Sequence, residues 1–535
     1  MPLRGSVLLL LSALATPLSA DESTTAVDQL LAALRASSGP GCAVGVIRNG
    51  AFVYTAAFGM ANLEAREPIT PETPFNVASL SKQFTAASLY FLVADGKLRL
   101  ADSVRRFLPE LPAYADAITM ADLLHHTSGL RDSLLEVAGR LNEPLDAAGH
   151  LRLLAAQSAL NFPPGTDYEY SNSDYILLGI VIERLSGMPL AEFSAARLFR
   201  PLGMTHTGFY PGSSPPAGAA PGYAVADGRF RASAPPPLTL GDGGVYTTLA
   251  DLRLWDRNFY TAGVGGPRFL EFMQTPGRLA SGERLTYAAG LTVGRYRGLR
   301  VASHDGELPG YRSDMTRFPR QHLTAIALCN RGDAPAENLT RQIAAVYLGG
   351  KLRRPRVPSA IAYATSRWPE LDGVWESRQG WLLHAWSAVD GLSISMAQET
   401  HKLVPFGRHR LVFDDGGGFR LLLTRLDRDR FQLQWEGGRP VVYRRLPAGP
   451  PGRLADFAGD YRSQDAGAEF RMVPDGGILL LTTAAGWKIP LDGMAPDRFA
   501  VGPWSLDFVR DPAGHVTTLE LHRARLWNLR FERVR

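Results

Sequence analysis

Lysine is scarce in this chain. There are five in 535 residues, Lys82, Lys97, Lys351, Lys402 and Lys488, and nearly all the remaining basic charge is arginine. One of the five stands three residues after a serine in "NVASLSKQFTAASLYFLVADGK", residues 76–97. In this stretch Leu80, Phe84, Ala87 and Phe91 recur at helical spacing, and Asp95-Gly96 reads as the helix end. Ser79 then lies at or near the helix N-terminus, with Lys82 one turn on and on the same face. A serine hydroxyl is a weak nucleophile at neutral pH and needs a base within hydrogen-bond reach. An amine serves if burial or a nearby cation lowers its pKa. The helix N-terminus adds backbone N–H groups and a positive dipole end, which favour developing negative charge. The alternative is an N-cap serine followed by a solvated lysine. Chance alone gives about 0.3 S-x-x-K matches in such a composition, so four residues do not decide between the two.

Two further stretches carry reactive side chains. In "PPGTDYEYSNSDYILLGIVIERLSG", Tyr170-Ser171-Asn172 falls in a polar turn just before a helical pattern. Tyr170 offers a proton-relay hydroxyl and Asn172 a hydrogen bond to a substrate amide; a packed Tyr and an N-capping Asn are the alternative. In "SHDGELPGYRS", His304-Asp305-Gly306 lies on a strand pattern. A glycine there lets a substrate backbone come close to the strand edge.

With these motifs in hand, the sequence resembles the serine β-lactamase and penicillin-binding-protein superfamily. The matching pieces are "SLSK", "LLHHTSGL", "PPGTDYEYSNSDYILLG", "PLGMTHT", "GDGGVYTTLADLRLW" and "HDG", in the family's order across roughly residues 35–345. The branch it looks most like holds class C β-lactamases, DD-peptidases, D-aminopeptidases and related esterases. The resemblance implies roles. Ser79 would be acylated, Lys82 would be its base or tune it, and Tyr170 would pass the proton to the leaving group. Asn172 would bind the substrate amide. His304 and Gly306 stand where many relatives carry Lys-Thr-Gly. The backbone N–H groups of Ser79 and Glu307 would form the oxyanion hole. Glu307 departs from the small residue usual there, which raises a narrowed site or repulsion of anions. His125 and His126 belong to a structural motif of the family.

The elements that must position these groups can be read around them. "CAVGVIRNGAFVYTAAFG" reads as a hairpin turning at Asn49-Gly50. "MADLLHHTSGL" and "YILLGIVIERLSG" read as helices, each with a Gly near its end. "VASHDGELPGYRSDMTRFPRQHLTAIALCN" reads as three successive strands. Strands at both ends with helices between imply one antiparallel sheet closed by the two termini. Beyond residue 350 the character changes to short strands, Trp, Phe and Gly turns. "LDGVWES" at 371–377 and "FAGDYRS" at 457–463 match in glycine, aromatic and serine positions, as two copies of a small barrel would. The expected fold is an α/β (α+β) β-lactamase/transpeptidase-like catalytic domain, an antiparallel sheet packed with helices, followed by two small antiparallel β-barrel domains. The expected boundaries are a signal peptide at 1–20, the catalytic domain at 21–350, a linker at 351–369, and barrels at 370–447 and 453–535. That order resembles the three-domain D-aminopeptidases.

Composition narrows the partners. Hydrophobic residues make up 45% and charged residues 20%, ordinary for a soluble globular protein. The net charge of +5 comes without clustered Lys/Arg, so no nucleic-acid partner is implied. "MPLRGSVLLLLSALATPLSA" reads as a secretory signal peptide, which makes the protein secreted or periplasmic, with no membrane span after its removal. The two cysteines, Cys42 and Cys329, sit in strand-like runs; buried thiols are preferred over a disulfide, although export permits one. No metal or other cofactor is implied, the oligomeric state is unread, and the partner is a small-molecule or peptide substrate. Because histidine is mostly neutral at pH 7, His304 should hold a substrate carboxylate less well than a lysine. The resemblance adds that D-aminopeptidases and esterases of the family share the H-x-G form, which ranks D-amino-acid peptides and amides first, esters second and efficient β-lactam hydrolysis third. A non-catalytic cell-wall-fragment binder is the rival, but it would be expected to lose Lys82 or Tyr170.

Overall fold

The computed structural model describes residues 20–35, 38–132, 145–211, 214–233, 240–353, 370–388, 391–396, 399–407, 410–414, 420–435 and 439–534. The signal-like segment, apart from Ala20, and most of the 351–369 connector lie outside the described residues. The N-terminal half is built on a six-stranded antiparallel sheet. Its order is Thr292–Tyr296, Leu299–Leu308, Tyr311–Phe318, Leu323–Cys329, Cys42–Arg48 and Ala51–Phe58. The first strand in sequence therefore pairs with the last, as expected of a sheet closed by the two ends of the domain. Asn49 and Gly50, with φ of 53° and 81°, make the tight turn of the N-terminal hairpin.

Alternation along the strands sorts side chains onto two faces. Cys42, Val44 and Val46 join Ala325, Ala327 and Cys329 against the helices Ala20–Arg35 and Ala336–Leu348. Ala43, Ile47, Ile326 and Leu328 face the larger core with the helical region between the sheet's two halves. Leu323–Cys329 is buried at every position because both faces are covered. Register sets Cys42 directly opposite Cys329, and the two are joined in a disulfide. The expectation of buried thiols is corrected: the strand runs were right, but sequence did not fix the register that aligns them.

The helix Lys82–Ala94 is buried from Lys82 through Leu92, on all sides rather than along one stripe, as a central helix must be. Asn172–Ser186 packs beside it and ends at Gly187 in the left-handed region, φ 70°. The short helix Met120–His125 starts with a capping box between Thr119 and Asp122. Its C-cap is His126 at φ 58°, not the glycine three residues on. Among the described residues no helix is long and apolar enough to cross a membrane.

The C-terminal half forms two closed eight-stranded antiparallel barrels, with strands running from Gly373 to Arg445 and from Gly459 to Arg533. The repeat seen in sequence is structural: Gly373–Ser377 and Gly459–Ser463 are each barrel's first strand, and Trp375 and Tyr461 fill equivalent interior positions at 0% exposure. In the second barrel Asp507, Glu520 and His522 come together. Arg498 pairs with Asp507, Arg530 lies 3.8 Å from Glu520, and His522 Nδ1 accepts from the Asn528 N–H, so this cluster is an ion-pair network.

The second barrel docks on the N-terminal half through its first and last hairpins. Buried Arg131 donates to Asp465 at 2.6 Å and to the Asn528 carbonyl at 3.0 Å. Trp527 packs on Phe162 with ring centroids 5.1 Å apart, and its N–H donates to Asn161. The first barrel adds Arg439, which pairs with Asp167 and Glu283.

Candidate active site

Ser79 sits in a 3-10 turn, Ala78–Ser81, that feeds straight into the buried central helix. The turn begins at Ala78, a non-glycine residue at φ 48° whose N–H is held by Asn76 Oδ1 at 2.9 Å. Such a conformation is costly and persists only where the surroundings impose it. The surroundings here are the strand Leu299–Leu308 and its neighbour. Ser313 Oγ donates to the Val77 carbonyl at 2.8 Å. A Cβ on Gly306 would stand 2.1 Å from the Val77 carbonyl oxygen and 3.1 Å from the Ala78 Cβ. Gly306 thus makes room for the protein's own serine-bearing turn, where the sequence had pointed to room for a substrate backbone.

Lys82 is fully buried, and its Nζ donates to Ser79 Oγ at 3.1 Å, Asn172 Oδ1 at 2.8 Å and the Asp242 carbonyl at 2.9 Å. Burial pulls its pKa down from the usual lysine value to about 8; Asp242 opposes the shift and Arg525 assists it. Asn172 opens the helix Asn172–Ser186 and is anchored by its N–H to Asp132 at 3.0 Å. The Tyr170 ring lies 4.9 Å from Lys82 Nζ, and its hydroxyl is buried without a hydrogen-bond partner among the described residues. Burial holds that phenol well above its ordinary pKa, with Arg525 pulling the other way.

Behind Tyr170 stands a wall of aromatic rings. His126 is buried between Tyr170 and Tyr287, with centroids at 4.4 and 4.6 Å, and its Nδ1 meets Asp174 at 3.0 Å. Burial drives His126 well below the usual histidine pKa and Asp174 well above the usual carboxyl pKa. His304 belongs to the same wall. Its Nε2 lies 3.0 Å from the Tyr287 hydroxyl and its Nδ1 2.6 Å from the Asp305 carbonyl. The carbonyl can only accept, so Nδ1 carries the proton and Nε2 accepts from Tyr287. Both nitrogens are thereby used inside the protein, and burial, helped by Lys82, lowers the His304 pKa. The sequence reading of His304 as a group facing the substrate is not what the geometry gives.

Glu307 also turns away. Strand alternation puts His304 and Gly306 inward and Asp305 and Glu307 outward. The Glu307 side chain is 69% exposed and pairs with Arg312, its cross-strand neighbour, at 2.6 Å. It neither narrows the site nor carries a free charge. The edge strand Thr292–Tyr296 pairs with Leu299–Ser303 only, so His304–Leu308 has no strand partner on that side among the described residues.

One group in the cleft was not read from sequence at all. Arg525, in the last hairpin of the second barrel at φ 71°, lies 4.7 Å from the Tyr170 ring centroid. Its N–H donates to Glu169, its carbonyl accepts from the Asp132 N–H and from Asn161, and its guanidinium is 3.9 Å from Asp132. Tyr287 was likewise missed. "SGERLTYAAG" has no feature that marks a tyrosine against the histidine of another strand.

A family model described as Beta-lactamase matches residues 27–348. The chain belongs to the Beta-lactamase family. Relatives and solved structures show further likeness. A D-aminopeptidase of Brucella ovis is 28% identical over 513 residues, spanning 90% of this chain and 93% of the relative. The octameric penicillin-binding protein homologue from Pyrococcus abyssi superposes with a TM-score of 0.56 at 22% identity, over 78% of this chain and 99% of that one. The D-amino acid amidase from Ochrobactrum anthropi SV3, solved with L-phenylalanine amide, gives 0.51 at 24%, over 61% and 96%. The two structural likenesses speak to the Beta-lactamase fold. The D-aminopeptidase likeness runs over 90% of this chain and so takes in the barrels as well.

Proposed function

We propose that this protein is an exported serine hydrolase that cleaves amide bonds of D-amino-acid-containing substrates through an acyl intermediate on Ser79. The observation that carries the reading is the buried Lys82 amine, 3.1 Å from Ser79 Oγ with a pKa near 8. An ammonium has three protons, and Nζ has three acceptors. When one proton leaves, the bonds to Asn172 and the Asp242 carbonyl hold the remaining two. The lone pair then faces Ser79 Oγ and takes its proton as Oγ attacks the substrate carbonyl.

Tyr170 has the opposite disposition. Its raised pKa keeps the phenol protonated, so it is suited to hand a proton to the leaving nitrogen rather than to act as the resting base. The N–H groups of Ser79 and Glu307 are assigned to the oxyanion, the latter on the strand edge that has no partner. The Asn172 amide nitrogen is free to meet a substrate carbonyl, since Lys82 already occupies Oδ1. Water then releases the acyl group by the reverse proton path. The choice of D-amino-acid amides rests on the D-aminopeptidase relative, which is matched over 93% of its length.

One observation favours a second reading within the same chemistry. Arg525 brings a fixed positive charge over Tyr170. It gives a free carboxylate on the substrate a partner that neutral His304 does not, and so favours DD-peptidase-like substrates over aminopeptidase substrates. Turnover of a panel of D-amino amides, D-alanyl-D-alanine peptides, short esters and penicillins separates these readings. Hydrolysis of D-amino amides above the others supports the first. Absence of hydrolysis throughout, with no acyl adduct, rejects the assignment.

A further inference from the structure

A cavity of about 910 Å³ opens at one end of the second barrel, and none of its lining residues belongs to the catalytic cluster. Its floor is the barrel core itself: Phe470, Leu481, Leu506 and Leu521. Its upper wall is Ile489, Val501 and Trp504. At its mouth stands Trp487, 71% exposed, the most exposed of the large apolar side chains among the described residues. Small barrels are usually filled by their own side chains. Here the interior is left open at one end, while the strands close around the rest.

We propose that this open end is a binding site for a lipophilic small molecule of the fatty-acyl class, with its chain in the barrel and its polar end at the rim. Three observations choose that occupant. The volume falls near the top of the roughly 300–1,000 Å³ that small-molecule sites span. Below the rim the lining is mostly aliphatic and aromatic, with Ser463, Gln464 and Thr483 as its uncharged polar side chains, so a charged body would lose its hydration without compensation. The charged residues at the rim, Arg462 and Glu469, are paired with each other at 2.8 Å and leave no net charge to select an ion. Trp487 and Trp504 give the entrance the large, stiff apolar surface that anchors a chain.

The hairpin that lines the mouth also reaches the catalytic half. Ser463, Gln464 and Gly467 line the cavity, and Asp465 between them accepts from Arg131 and Ser158. The site therefore sits beside a contact that the two domains share, although the proposal concerns binding alone.

The test uses the full chain and the fluorophore N-phenyl-1-naphthylamine, with displacement by a long-chain fatty alcohol. The expected result is saturable one-to-one binding that the alcohol reverses. Trp487→Ala should weaken it at least about tenfold, a change of about 1.4 kcal/mol, with hydrolase activity unchanged. Ile489→Arg, which puts a charge into the cavity, should abolish it, with near-UV circular dichroism confirming the fold. Absence of saturable binding, or binding equal in wild type and Trp487→Ala, overturns the proposal. So does a concentration-dependent dimer, seen by sedimentation, that Trp487→Ala dissolves and that excludes the fluorophore: the occupant would then be a second copy of the chain.

Discussion

The guanidinium of Arg525 stands 4.7 Å from the ring centroid of Tyr170, although 355 positions and a whole first barrel separate the two in sequence. The reactive cluster is thus completed by the far end of the chain. Arg525 is one of the charges that lower the Lys82 pKa. Removing it should raise that pKa, so that less of the amine is neutral at a given pH. In Arg525→Ala the rising limb of acylation rate against pH should move to higher pH, by less than about one unit because the side chain is partly solvated. An unshifted limb in a folded variant means that Arg525 does not act on Lys82.

Lys82 itself sets the wild-type profile. With a pKa near 8, acylation should rise with pH through about 8 and then level off, since the neutral amine is the competent form. Lys82→Ala should slow acylation by about two to four orders of magnitude, the usual range for loss of a general base. Stopped-flow acylation with an ester substrate from pH 6 to 9.5 reads both effects.

Gly306 should not tolerate a methyl group. Gly306→Ala forces a Cβ against the Val77 carbonyl, on the turn that carries Ser79. A loss of roughly 1–3 kcal/mol in stability is expected from overpacking, seen as a lower Tm, together with slower acylation. Equal Tm and rate in the variant would show that the turn moves freely.

His304 should be silent in the pH profile of ligand binding. Burial lowers its pKa, and both ring nitrogens are engaged inside the protein, so protonation is opposed and would break the bond that Nε2 accepts from Tyr287. Inhibition by a penicillin and by a neutral ester analogue should then show the same pH dependence between about 5.5 and 7.5. Divergence of the two as pH falls would mean that His304 reads carboxylates after all.

Much of this was legible in the sequence because it is local. Ser79 and Lys82 are one helical turn apart, and the hairpin at Asn49-Gly50, the three strands from Val301 to Asn330 and the barrel repeat all rest on short-range patterns. The side chains of His304 and Glu307 were harder. A strand pattern gives alternation, but not which face meets the cleft and which ring nitrogens are already bonded. The Cys42–Cys329 bond depended on a register between the first and last strands. Arg525 was out of reach for a different reason. It is one more arginine in an arginine-rich chain, and only the docking of the second barrel, through Arg131, Asp465 and Trp527, brings it over Tyr170.

The central claim is that Ser79 becomes acylated, with Lys82 as its base. Intact-mass spectrometry after a fluorophosphonate pulse, followed by peptide mapping, tests it most directly. The account predicts a single adduct on a peptide containing Ser79, absent from Ser79→Ala and formed far more slowly in Lys82→Ala. An adduct on another residue, or undiminished labelling of Ser79→Ala, would contradict it.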